Sequence, residues 1–290
     1  MPVKKRTPRL LIAKHGGFCP GVKRGLDIAT EAASEGPVAS LGELVHNTRV
    51  VEELRRRGVR PVASLDEVEE NKVIVRTHGV PPEVVEEAEK RGLCVIDATC
   101  PWVKRAQRRA QQLVEEGFTV FVIGRKEHPE VVGIVGWSEG KARVVETAEE
   151  ARALMPVGRA GIVCQTTVTD ETVGEIAKVI VQKSREAKVF NTTCRSTRET
   201  QREAAEIAAQ ADLMLVLGSP KSANTRHLVE VCRAAGVETI LVEQVSEIVK
   251  EKVAGRSCIG ITGGASCPGE LIREVEERVR ELTQAELVEA

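Results

Sequence analysis

Three segments of the chain repeat one order of elements: an apolar strand, a short polar turn, a cysteine and a long helix. They are LLIAKHGGFCPGVKRGLDIATEAASEG, CVIDATCPWVKRAQRRAQQLVEEG and KVFNTTCRSTRETQREAAEIAAQA, and their cysteines, Cys19, Cys100 and Cys194, lie 81 and 94 residues apart. Each separation is about the length of a small α/β unit, so the repeat implies three similar lobes, 1–100, 101–193 and 194–290. Pro20 and Pro101 directly follow two of the cysteines. Proline is favoured in the first turn of a helix, which puts these cysteines at helix N-termini. Elsewhere short β-branched runs such as KVIVRTHG, FTVFVIG, DLMLVLGS and CIGITGGA alternate with amphipathic stretches such as PPEVVEEAEKRG. That alternation predicts an α/β fold built on parallel sheets. The last helix, GELIREVEERVRELTQAELVEA, is expected to pack on one lobe.

Charge and composition exclude several functions. Lys+Arg total 42 against 43 Asp+Glu, a formal net charge of -1, so the basic excess of a nucleic-acid binder is missing. Aromatic residues are 2% of the chain and tyrosine is absent, which leaves no stacking platform for single strands. No apolar stretch approaches the roughly 20 residues that span a bilayer. The first apolar run, Leu10 to Ala13, is too short for the core of a secretion signal, so a cytoplasmic protein with no membrane partner is expected. In that compartment thiols stay reduced, and the eight cysteines are read as buried apolar residues or as ligands. Cys94, Cys164, Cys232 and Cys258 lie on strands or a helix and read as filler, while Cys267 follows a polar loop and is open to either reading.

The N-terminus of a helix carries free N–H groups and positive dipole charge, so it favours thiolate over thiol. One such cysteine per lobe, at the strand ends where open α/β sheets bind ligands, suggests a metal centre with an open position. Three capped helices without a metal fit the same spacing. No C-x-x-C, H-E-x-x-H, Walker A or G-x-G-x-x-G sequence is present. The remaining strand ends favour a ligand site. They carry His46 in LVHNT, His78 in RTHGV, His128 and Glu130 in EHPEV, Thr166 and Thr167 in CQTTVTD, Ser222 and Asn224 in GSPKSANT, and Ser266 in TGGASCPG. Imidazoles, hydroxyls, an amide and glycine-rich backbone together suit an oxyanion or a diphosphate. An extended backbone through HPE would send His128 and Glu130 to the same side. His15 and His227 lack such a context and read as structural, and charge runs such as VEELRRRGVR read as solvated helix faces.

Nine segments, in order, are similar to one family. They are GFCPGVKRGLDIA, GELVHNTRVVEELRRRG, THGVPPEVVEEA, VIDATCPWVKR, IGRKEHPEVVGIVGW, CQTTVTD, NTTC, GSPKSANTRHL and ITGGASCPGELI, and nearly the whole chain is covered. On these the chain resembles the 4-hydroxy-3-methylbut-2-enyl diphosphate reductases of the methylerythritol phosphate route to isoprenoids. The resemblance implies three α/β lobes in pseudo-threefold arrangement around a [4Fe-4S] cluster, ligated by Cys19, Cys100 and Cys194 and leaving one iron free for the substrate oxygen. It implies that His46, His78, Ser222, Asn224 and Ser266 bind the diphosphate. His128 and Thr166 would face the hydroxymethyl end, with Glu130 as proton source, and Thr167 and Ala223 would also lie among the substrate-binding residues. It further implies ferredoxin or flavodoxin as electron donor, and isopentenyl and dimethylallyl diphosphate as products. Three positions depart from the family pattern: Ala223 stands where many members have serine, Thr200 where arginine is usual, and Gly269 where aspartate is common. The first removes a hydroxyl from the phosphate pocket, and the other two leave local packing in question. A quinolinate-synthase-like dehydratase would not carry VHN, THG and HPE together. An iron–sulfur sensor without turnover would gain nothing from Glu130 beside His128.

Overall fold

Every strand pairing among the described residues is parallel, as strand–helix alternation requires, because a crossover helix returns the chain to run in the same direction. The computed structural model describes residues 7–288. It divides into two units, one of residues up to 19 together with 195 onward, the other of residues 20–194. Strand β1 (Arg9–Ile12) opens the chain and belongs to the first of these.

The 20–194 unit carries two four-stranded sheets. Helix α1 (Pro20–Ser34) leads into β2 (Val38–Leu41), α2 (Thr48–Arg56), β3 (Val59–Val62), β4 (Lys72–Val75), α3 (Pro82–Lys90) and β5 (Cys94–Asp97), with strand order β3-β2-β4-β5. Asn47 caps α2, its side chain accepting the Val50 N–H. The second sheet follows α4 (Pro101–Glu115). It takes β6 (Thr119–Ile123), α5 (Pro129–Trp137), β7 (Arg143–Val145), α6 (Ala148–Ala153), β8 (Val157–Cys164), α7 (Asp170–Gln182) and β9 (Ser184–Val189), in the order β7-β6-β8-β9. The central strands β6 and β8 bury both faces. Phe121, Ile123 and Ile162 pack towards α6 and α7, and Val120, Val122 and Val163 towards α4 and α5. Each such side chain contributes about 1.5–3 kcal/mol of burial, which fixes the strand ends where functional loops begin.

The other unit has one five-stranded sheet, ordered β11-β10-β12-β1-β13. Its elements are α8 (Arg195–Ala208), β10 (Leu213–Leu217), α9 (Ala223–Ala234), β11 (Glu238–Val242), α10 (Lys250–Val253), β12 (Cys258–Gly263), α11 (Gly269–Thr283) and β13 (Glu286–Val288), together with β1. Three parallel-sheet lobes are therefore present, but the expected boundary at residue 1 is corrected. Strand β1 pairs with β12 and β13, not with β2. Leu10 and Leu11 are buried on opposite faces, in two different cores, so β1 sits in a sheet covered on both faces, and its backbone pairs with β12 on one side and β13 on the other. Helix α11 packs on this sheet through Leu271, Val275 and Val279. No helix among the described residues is long and apolar enough to cross a membrane.

Candidate functional site

In the 20–194 unit, β2, β4 and β6 each end near a histidine. His46 precedes the Asn47 cap, His78 follows β4, and His128 caps α5. The three rings form a row, with centroids of His46 and His78 5.3 Å apart and those of His78 and His128 5.4 Å apart. The His46 and His78 loops are tied together, because the Thr77 hydroxyl donates to the Leu44 carbonyl at 3.0 Å. His78 is half-buried, yet its Nδ1 is shut off from solvent and has no hydrogen-bond partner. Burial, and then the charges of His128, Arg76 and His46, hold this imidazole well below its ordinary value, so the ring is neutral. An anion arriving beside it would reverse that balance.

The HPE segment is not extended. Pro129 occupies the first helical position and Glu130 the first turn of α5, and the same proline rule that places Cys100 accounts for it. His128 Nδ1 accepts the Glu130 N–H at 3.2 Å. A backbone N–H can only donate, so the proton of the neutral ring lies on Nε2. Glu130 is 2% exposed. Its Oε1 accepts the Thr166 N–H at 2.6 Å and its Oε2 meets the Thr166 hydroxyl at 2.8 Å. Burial raises its carboxyl to about 7 against the opposing pull of these two hydrogen bonds. Thr167 Oγ1 accepts from the Gln165 amide, which also holds the start of the Arg125 loop through its oxygen.

In the unit built on β10 and β12, Ser222 caps α9 and its hydroxyl accepts the Thr225 N–H at 3.3 Å. Asn224 and Ser266 are 4% and 7% exposed, and Asn224 Oδ1 and Ser266 Oγ are buried without partners. An amide's oxygen and nitrogen are told apart only by their partners, and turning Asn224 would present its NH2 to a phosphate oxygen. Two residues that the sequence did not single out share this condition. Thr225 Oγ1, in the first turn of α9, and Thr262 Oγ1, near the end of β12, are buried and unpartnered. Gly264 is pressed against Thr225, since a Cβ there would lie 2.3 Å from its hydroxyl oxygen. A threonine inside a helix carries no sequence mark of this; only burial reveals it. Thr225→Val keeps the shape and removes an unpaired group. Thermal melting of the ligand-free protein should show it equal to, or up to about 1 kcal/mol more stable than, the parent. A clear loss of stability would mean that the hydroxyl is already satisfied.

Of the family departures, Ala223 is buried and offers no hydroxyl. Thr200 hydrogen-bonds the His15 and Ser196 carbonyls, and a Cβ at Gly269 would meet nothing within 4 Å, so neither disturbs packing. His15 is structural as expected: its Nδ1 lies 3.2 Å from Glu203 Oε2, and the Lys14 and His15 N–H groups also donate to that carboxylate.

The cysteines divide by environment. Burial pushes the Cys164 and Cys267 thiols up to about 12 and Cys232 to about 11, so all three stay protonated and unreactive. Cys258 is buried like them, but Cys94 is exposed on the edge strand β5, against the expectation of burial. Cys19, Cys100 and Cys194 each stand immediately before a helix, α1, α4 and α8. Their backbone N–H groups are pinned alike. Cys19 donates to the carbonyl of Ala265 beside Ser266, Cys100 to that of Thr77 beside His78, and Cys194 to that of Thr166, at 3.2, 3.0 and 2.8 Å. No three His, Cys, Asp or Glu side chains among the described residues are gathered as for a single metal ion. Each of these three cysteines is a helix-N-terminal thiol on a fixed backbone, the kind of donor that an iron–sulfur cluster takes.

The model of the family described as LytB protein matches residues 10–280. The chain is 43% identical over 277 residues to the 4-hydroxy-3-methylbut-2-enyl diphosphate reductase of Geobacter metallireducens, covering 95% of this chain and 98% of that one. It is 39% identical over 284 residues to the same-named protein of Aquifex aeolicus, covering 96% and 98%. Among solved structures it resembles (E)-4-hydroxy-3-methyl-but-2-enyl diphosphate reductase, described as the terminal enzyme of the non-mevalonate pathway. That match has a TM-score of 0.69 and 38% identity, over 94% of this chain and 99% of the other. It also resembles the E-1-hydroxy-2-methyl-but-2-enyl-4-diphosphate reductase of Plasmodium falciparum, with a TM-score of 0.92 over 98% and 92% of the chains. At 24% identity that likeness bears on the fold alone.

Proposed function

The chain belongs to the LytB protein family, and from that premise we propose that it reduces 4-hydroxy-3-methylbut-2-enyl diphosphate to isopentenyl and dimethylallyl diphosphate. Two electrons and two protons exchange the allylic C–O bond for a C–H bond and release water. Cys19, Cys100 and Cys194 would hold a [4Fe-4S] cluster, which supplies electrons singly and Lewis acidity when bound. A one-electron donor of the ferredoxin or flavodoxin kind would recharge the enzyme. A reducing cytoplasm suits this chemistry and the thiols it needs.

The observation that carries the reading is the position of Thr166. It grips the Glu130 carboxyl by N–H and hydroxyl, and its carbonyl accepts the Cys194 N–H. A proton donor is thereby fixed one residue from a proposed cluster ligand. With its carboxyl raised to about 7, Glu130 is substantially protonated at neutral pH. Its Oε2–H can donate to Thr166 Oγ1, whose own hydroxyl proton then turns to the departing oxygen. His128 presents Nε2–H to the substrate. His46, His78, Ser222, Asn224 and Ser266 would hold the diphosphate, which is not consumed and serves to orient the reacting end.

Anaerobic reconstitution with iron and sulfide, followed by turnover with a chemical reductant, tests the assignment. Both five-carbon diphosphates should form, and a protein that holds a cluster and binds the substrate without turnover would refute it. With a net charge of -1, affinity must come from local donors rather than a global field. Asn224→Ala should therefore weaken pyrophosphate binding by about 1.5–3 kcal/mol, the worth of a charge-assisted partner. Calorimetry showing unchanged affinity in both Asn224→Ala and His78→Ala would remove the anchor from these residues.

A further inference from the structure

A cavity of about 170 Å³ opens on the 20–194 unit. It is lined from the elements that carry the functional residues of that unit. Val75 ends β4, on the way to His78, and Trp137 ends α5, which His128 caps. Lys104, Gln107 and Arg108 lie on α4, which Cys100 caps. Val75 is buried and Trp137 and Val85 of α3 are half-buried, and all three turn apolar surface to the cavity.

Size and charge narrow the occupant. An engineered apolar cavity of about 150 Å³ admits benzene, so this one suits a hydrocarbon of about five or six carbons. Lys104 and Arg108 stand one helical turn apart at its wall, and Arg108 is exposed. Gln107 supplies an unsatisfied donor, since its Nε2 is buried and has no acceptor. We propose that the cavity is an effector site for a short branched hydrocarbon with an anionic head, and that its occupation slows turnover. The reaction's own five-carbon diphosphate products belong to this class; that identification, unlike the cavity, rests on the proposed function.

Two contacts would carry the effect. Lys104 Nζ is held by Asp97 at 2.5 Å, and Asp97 Oδ1 accepts the Thr99 N–H directly before Cys100. An anionic head competing for Lys104 loosens that turn. The Gln107 amide lies against Gly79, where a Cβ would be 2.5 Å from Nε2. An acceptor in the cavity that turns this amide acts on the residue next to His78.

The test uses the cluster-loaded enzyme, a chemical reductant and isopentenyl diphosphate as added effector. Val85→Phe narrows the cavity, and Arg108→Glu reverses the charge at its wall without changing the packing. Both should leave kcat and KM without effector within about twofold, yet raise at least tenfold the effector concentration that halves kcat at saturating substrate. Purely competitive inhibition in the parent, or unchanged inhibition in both variants, would overturn the proposal. Calorimetry on Asn224→Ala separates this from failure of the proposed function, because it needs no turnover. One effector site should remain there and weaken at least tenfold when Val85→Phe or Arg108→Glu is added. No binding to Asn224→Ala would equally overturn it.

Discussion

Serine in place of Cys19, Cys100 or Cys194 should abolish both the visible iron–sulfur absorption and turnover. The exchange is nearly isosteric, but a hydroxyl is far less acidic than a thiol and is a poor ligand for iron. The buried thiols cannot substitute, because Cys164, Cys232 and Cys267 are held protonated by burial. The backbone around each proposed ligand is fixed by its own N–H bond, so the serine variants should keep their far-ultraviolet dichroism and, without cluster, their melting temperature. Cys232→Ser is the control and should retain a full complement of iron. Iron and sulfide analysis with visible and Mössbauer spectra reads the result independently of activity. Full cluster retention in all three serine variants would remove these cysteines from the metal centre.

The strand–turn–cysteine–helix order was legible because each of its parts has a local cause. Two of the strands, RLLI and CVID, are short and largely apolar, and in two cases proline opens the helix after the cysteine, whereas β9, SREAKV, is mostly exposed and apolar only at its end. Sheet membership was less legible. Four residues, RLLI, say that a strand is buried on both faces but not which strands flank it, and β1 joins partners more than 240 residues away. Cys94 misled for a related reason: an apolar run reads as buried, while β5 is an edge strand whose ends are exposed. Of the site, the histidines and serines could be found because glycine and polar turns mark strand ends. The helical start at Pro129 was also readable from the proline rule already applied to Pro101. Thr225 and Thr262 were not, since nothing local separates a threonine with an unsatisfied hydroxyl from one that merely packs. Nor was the burial of Glu130, because a glutamate in the first turn of a helix ordinarily faces water and complements the dipole.

That burial makes Glu130→Gln informative in two opposite directions. The amide keeps the shape of the carboxyl: its oxygen can still accept the Thr166 N–H, and its NH2 can donate to Thr166 Oγ1 where the carboxylic acid did. It cannot release a proton. Turnover should fall by about 10²–10⁴-fold, the usual worth of a general acid, while cluster content and substrate affinity change little. In the parent, the protonated acid is the working form, so the rate should decline as pH rises through about 7. In the variant that limb should vanish. Stability should move the other way. Raised from 4.5 to about 7, the folded carboxyl binds its proton more tightly than the unfolded one, so its contribution is full below about 4.5 and is lost as pH rises through 7. At about 1.4 kcal/mol per unit the loss is about 3 kcal/mol. Cluster-free Glu130→Gln should therefore melt higher than the cluster-free parent at pH 8 and match it near pH 4.5. A variant that turns over near the parental rate with substrate saturating would take the proton donor away from Glu130. A variant that is slow but no more stable at pH 8 would mean that the carboxylate is better solvated than its 2% exposure implies.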